Sequence, residues 1–176
     1  HSHEPGMVEG MAEKGPFPIR RIALSQPLDD FFFDPAYRNL LGSARDGGKA
    51  VVVNLDVGRE IAEVPIPGLP HLGSGITWMR DGRPVMASPN LKEGVVSIID
   101  MKSWRLTDRI ATLGPGFFLR SHENTRYAWV DAGFSRDKDA LQIIDKQTLA
   151  VVRTLRPAPG KAASHVEFSR DGRYAL

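Results

Sequence analysis

One turn sequence recurs along this chain and limits what it can fold into. Arg80-Asp81-Gly82-Arg83 leads into the run Pro84-Val85-Met86, and Arg170-Asp171-Gly172-Arg173 leads into Tyr174-Ala175-Leu176. Looser copies are Glu123-Asn124-Thr125-Arg126 before Tyr127-Ala128-Trp129, and Asp34-Pro35-Ala36-Tyr37-Arg38 before Asn39-Leu40-Leu41. The aligned arginines Arg38, Arg83, Arg126 and Arg173 stand 45, 43 and 47 residues apart. A repeat of that length, built of short strands and turns, is the period of a propeller blade.

A second element recurs between these turns. It reads Val51-Val52-Val53-Asn54-Leu55-Asp56, then Val96-Ser97-Ile98-Ile99-Asp100, then Leu141-Gln142-Ile143-Ile144-Asp145. Each is a β-branched run ending in Asp, a residue that begins turns by bonding to its own backbone. A further strand follows each, as in Arg109-Ile110-Ala111-Thr112-Leu113 and Val151-Val152-Arg153-Thr154-Leu155. The unit is therefore four antiparallel strands: inner strand, turn, second strand, connection, third strand, turn, outer strand. With 17 glycines and 13 prolines punctuating the chain, no stretch reads as a long helix. The expectation is an all-β propeller with about four blades, occupying residues 1–176 as a partial domain cut at both ends. The regular period favours this over an open β-sandwich.

Composition removes several functions. The 23 basic and 21 acidic residues are scattered rather than clustered, which gives no case for nucleic-acid binding. No apolar run reaches the ~18 residues of a membrane helix. The chain has no cysteine, so disulfides, thiolate zinc sites, cysteine nucleophiles and covalent c-type heme attachment are absent from it. There is no Gly-x-Ser-x-Gly elbow, no phosphate-binding glycine loop and no His-Glu-x-x-His motif. Asp-Gly-Gly at 46–48 is a hairpin turn signal. Trp78, Trp104 and Trp129 lie in or beside strands and are assigned to blade packing.

The repeat also ranks the candidate site residues. Eight positions before each aligned arginine stand Asp30, Gly75, Phe118 and His165, which should share one layer where the inner strands begin. The longer first turn makes Asp29 an equal candidate with Asp30. His71, in Pro70-His71-Leu72-Gly73-Ser74-Gly75, sits in a loop leading into an inner strand, where function concentrates. His71, His165 and Asp29 are thus the candidate catalytic groups, since imidazoles beside a carboxylate can move protons near neutral pH. His122 falls at the opposite end of its strand and reads as structural. His1 and His3 are weak metal candidates.

Several stretches carry a family resemblance. Ser2-His3-Glu4-Pro5, Pro70-His71-Leu72-Gly73-Ser74-Gly75, Gly114-Pro115-Gly116-Phe117-Phe118-Leu119-Arg120-Ser121-His122 and His165-Val166-Glu167-Phe168 resemble, in order, the heme d1 domain of cytochrome cd1 nitrite reductases. The resemblance implies an eight-bladed parent propeller holding heme d1 in its central channel. It makes His71 a distal histidine, with the options of axial ligand to the heme iron or general base. It puts Gly73, Ser74, Phe118 and His165 around the cofactor. Asp29 stands at the place of the family's second distal histidine, and Ser74 at that of an arginine. The proximal ligand and a heme c domain are expected upstream of His1.

Lacking the second histidine, the chain looks more like the family's periplasmic biosynthesis branch. Those proteins oxidise a side chain of dihydro-heme d1 to the acrylate during denitrification. The partners implied are the tetrapyrrole itself, periplasmic electron-transfer proteins and nitrite reductase. A nitrite reductase, reducing nitrite to nitric oxide, is the alternative within the family. A non-catalytic, protein-binding propeller is the alternative outside it.

Overall fold

The β-branched runs become strands stacked in series. The structure, a computed structural model, describes residues 7–8, 19–44, 46 and 48–176. His1, His3 and the Ser2-Pro5 stretch lie outside the described residues. A short pair, β1 (Met7–Val8) and β2 (Ile22–Ala23), precedes the blades. The first blade is β3 (Asp30–Phe33), β4 (Asn39–Ser43), β5 (Lys49–Asn54) and β6 (Arg59–Pro65). The second is β7 (Ile76–Arg80), β8 (Arg83–Pro89), β9 (Val95–Asp100) and β10 (Arg105–Ala111). The third is β11 (Leu119–Ser121), β12 (Tyr127–Asp131), β13 (Leu141–Asp145) and β14 (Val151–Leu155).

Each blade is an antiparallel meander with its strands in chain order. The fourth repeat shows its opening hairpin, where Phe168 bridges Ala175 and Ser169 N–H donates to the Tyr174 carbonyl. The all-β propeller expectation of about four blades is borne out as three full blades and the start of a fourth. Among the described residues no helix is long and apolar enough to cross a membrane.

The position of each strand follows from its residues. β5 and β9 are packed on both faces, so they read as mostly apolar runs, Ala50–Val53 and Val95–Ile99, the latter broken only by buried Ser97. The rim strands β6 and β10 instead alternate exposed and covered positions and carry charges on both, as strands with one wet face do. Ile98 and Ile99, adjacent in β9, point to opposite faces. Ile99 packs with Leu41, Val52, Val64, Leu72 and Met86 between the first two blades. Ile98 packs with Val96, Leu119, Val130 and Ile144 between the second and third. In all three blades the outer pair has a register break, at Val52/Val53, Leu106/Asp108 and Ile143/Ile144. An irregularity at that place increases local twist, which suits a blade that splays toward its rim.

The repeated arginine and the repeated aspartate are partners. Arg83 forks onto Asp100 through Nε and Nη2, and Arg126 Nε bonds Asp145 Oδ2 at 2.6 Å. The same carboxylates open the outer turns: Asp100 Oδ1 accepts from Lys102 and Ser103 N–H, and Asp145 Oδ1 from Gln147 and Thr148 N–H. In the first blade this place belongs to Asn54, not to Asp56 as the run Val51–Asp56 suggests. Asn54 Oδ1 accepts from Asp56 and Val57 N–H, while Asn54 Nδ2 donates to Asn39. A neutral amide pair makes the close bond there because Asn54 supplies the turn acceptor two residues earlier, and Arg38 keeps a longer, exposed ion pair with Asp56 at 3.8 Å. Two of the three tryptophans pack as expected: Trp78 lies against the second interface with its Nε1–H on the Lys146 carbonyl (2.8 Å), and Trp104 against the first, while Trp129 joins neither cluster.

Candidate functional site

The inner strands begin at one end of the stack and their hairpin turns lie at the other. Asp30 opens β3, while Gly75 and Phe118 immediately precede β7 and β11. His165 precedes the opening strand of the fourth repeat. This is the layer expected from the repeat, and it brings Phe118 and His165 into contact. Their rings stack at 4.3 Å between centroids and 5° between planes. Beyond Phe118 stands Phe117 (4.6 Å), and beyond Phe117 the His71 ring (4.1 Å). His71 and His165 therefore do not touch. They end a row of four rings whose middle is the Phe117–Phe118 pair.

Backbone clamps hold that row. Asp131, buried at the end of β12, accepts Phe117 N–H at 2.9 Å and Gly133 N–H at 2.9 Å on Oδ1, and Phe118 N–H at 2.7 Å on Oδ2. A buried carboxylate filled by three amide donors is well satisfied. The His71 loop is fixed in the same way by buried Asn90. Its Oδ1 accepts from Leu69, Lys92 and Glu93 N–H, and its Nδ2 donates to the Pro67 carbonyl. Gly68 lets the loop pass: its φ is +80°, and a Cβ there would lie 2.6 Å from Asn90 Oδ1.

His71 caps the 3-10 turn Leu72–Ser74, and its N–H donates to the Pro89 carbonyl. Its Nδ1 lies 2.8 Å from the Phe117 carbonyl. A carbonyl only accepts, so Nδ1 carries the proton and the neutral ring keeps its lone pair on Nε2. Gly73 N–H is held by both oxygens of Asp30 at 3.1 Å, and a Cβ on Gly73 would stand 2.8 Å from Asp30 Oδ1. Ser74 is buried inside this turn, its N–H on the His71 carbonyl. A cavity of about 220 Å³ opens beside the turn, lined by Asp29, Asp30, Ser43, Pro70 and His71 among others. Asp29 and His71 thus share a wall, with Asp30 spent on Gly73.

At the far end of the row, His165 has φ = +61°, a left-handed conformation that costs a side-chain-bearing residue energy. Its Nε2 lies 3.3 Å from Arg120 Nη2 and 3.1 Å from Glu167 Oε1, and Arg120 Nη2 donates to Glu167 Oε1 at 3.0 Å. His122 lies away from all of this. Its Nδ1 accepts from Asn124 N–H and its Nε2–H donates to the Arg170 carbonyl, tying the third hairpin turn to the fourth. Both nitrogens are spent on backbone, which agrees with a structural role.

Sequence reasoning missed Phe117, Asp131, Asn90, Arg120 and Glu167 as parts of the site. The repeat locates residues along a strand but carries no signal for which side chains bridge between blades.

The sequence pattern of the cytochrome D1 heme domain family matches residues 7–176. A dihydro-heme d1 dehydrogenase from Pseudomonas aeruginosa is 52% identical over 161 residues, covering 92% of this chain and 33% of that protein. Protein NirF of the same organism is 35% identical over 117 residues, 66% of this chain and 28% of that one. Among solved structures, dihydro-heme d1 dehydrogenase NirN in complex with DHE superposes with a TM-score of 0.89 at 50% identity, covering 97% of this chain and 36% of that one. Hydrazine synthase of Kuenenia stuttgartiensis shares the fold, with a TM-score of 0.67 at 19% identity, over 84% of this chain and 40% of that one. The chain spans about a third of the length of the dehydrogenase it matches. On the pattern that covers nearly all of it, and on the relative that shares half its residues, the chain belongs to the cytochrome D1 heme domain family.

Proposed function

We propose that this chain is the part of a periplasmic dihydro-heme d1 dehydrogenase that holds one side of its tetrapyrrole substrate. The observation that carries this reading is the row His71–Phe117–Phe118–His165 at the mouth where the inner strands begin. An iron tetrapyrrole would need aromatic surface against its macrocycle and a nitrogen donor for its iron beyond the four its own ring supplies. Phe118 offers the surface, and His71 Nε2 offers a nitrogen whose lone pair is set by the Nδ1–H bond to Phe117. Gly73 and Ser74 shape the turn that presents it.

The reaction takes a saturated side chain to an acrylate, so two C–H bonds break and one C=C forms. Two protons and two electrons leave. His165 receives a proton with Glu167 beside it, and the cavity of Asp29 and His71 provides the other route to water. A c-type heme outside this chain would supply the acceptor for the two electrons, one at a time.

The test mixes the full-length protein with dihydro-heme d1 and follows the visible spectrum. The expected result is a shifted spectrum on binding and conversion to heme d1 with an oxidised c-type cytochrome present. No shift sinks the tetrapyrrole reading. Binding followed by nitrite reduction, without side-chain oxidation, turns it to the reductase.

A further inference from the structure

His165 Nε2 faces a fixed donor and a fixed acceptor at once. Arg120 reaches it from β11, Glu167 reaches it from two residues along its own segment, and the two also bond each other. The ring cannot satisfy both through the same nitrogen: a bare Nε2 accepts from Arg120, and an Nε2–H donates to Glu167. Phe118, uncharged, covers one ring face in a nearly parallel stack, and the left-handed backbone of His165 aims the ring there. Arg120 and Glu167 are the charged groups shown within bonding reach from the elements packed on His165, because His71 lies beyond two phenyl rings.

We propose that Arg120 and Glu167 are positioning residues that make His165 a two-state proton carrier for the reaction. In the resting state Arg120 donates to the bare Nε2. When the ring takes the proton released by a breaking substrate C–H bond, Glu167 bonds the imidazolium through Nε2–H. The proton then leaves to water, and no further oxidant is needed beyond the acceptor already named.

This rests on the tetrapyrrole reading, and its test has one arm that does not. In the substrate-free full-length protein, ring nitrogen NMR shifts of His165 report which nitrogen bears the proton. Arg120→Gln should raise the share of Nε2–H, and Glu167→Gln should lower it. With dihydro-heme d1, the acid limb of the turnover profile should move in opposite directions. Removing the carboxylate makes the neutral, proton-accepting ring easier to keep, so Glu167→Gln shifts the limb to lower pH. Arg120→Gln shifts it to higher pH. Substrate affinity, read from the binding spectrum, should change less than threefold in both. Equal or same-direction changes in the NMR arm overturn the proposal. Opposite NMR changes with unmoved turnover profiles also overturn it as a catalytic device. Absence of substrate binding in the unmodified protein overturns the tetrapyrrole reading instead.

Discussion

At Asp131 one buried carboxylate accepts three backbone N–H groups, two of them from the adjacent pair Phe117 and Phe118. Removing it strands those donors in the interior, where each unmet one costs about 1–3 kcal/mol. Asp131→Ala should therefore lower stability by at least that much in urea titrations and weaken tetrapyrrole binding together. Asp131→Asn, which retains an acceptor oxygen, should fall between. His71 makes the sharper functional test. His71→Ala should alter the visible spectrum of bound tetrapyrrole or abolish turnover. His122→Ala, whose bonds all go to backbone at the other end, should leave the spectrum as it was. The reverse result would overturn the layer assignment.

Each full blade is closed at its second and third strands by the same device, and the blades differ in how charged it is. Arg83's fork holds the Asp100 carboxyl well below the usual carboxylate range; burial opposes this, and Ser103 and Lys102 add to it. Asp145 is lowered too, against its burial, by the Thr148 and Gln147 amides and then Arg126. A carboxyl that loses its proton more readily when folded stabilises the fold fully above its unfolded pKa of about 4. That contribution is lost as pH falls from there toward the folded value. The stability gap between the parent and Asp100→Asn should therefore be largest at neutral pH and shrink on going to pH 3, read from denaturation midpoints. Asn54, neutral in the first blade, should give a pH-independent gap on replacement by Ala. The strands were legible from the β-branched runs and the turns from their Asp and Gly. The switch from Asp56 to Asn54 was not, because apolar Leu55 follows Asn54 and only backbone bonding shows where the strand ends.

Over the whole molecule the blades are joined by alternate residues of single strands. Ile98 belongs to the second interface and Ile99 to the first, both fully buried. Ile98→Ala should cost about 2–5 kcal/mol by denaturant unfolding, the range for emptying a packed core position. An exposed rim change such as Val57→Ala should cost little.

The sequence by itself determined the repeat, and through it the all-β propeller, the layer of Gly75, Phe118 and His165 with either Asp29 or Asp30, and the separation of His122 from that layer. Periodicity sufficed because strand and turn preferences act between near neighbours, and the repeat copies them at a constant spacing. Only the tertiary structure decided that the Phe117–Phe118 pair stands between the two histidines, that Asp30 is spent on Gly73, and that Arg120 meets His165 and Glu167. Those contacts join residues more than forty positions apart on different blades, and their geometry depends on how one blade's face seats on the next.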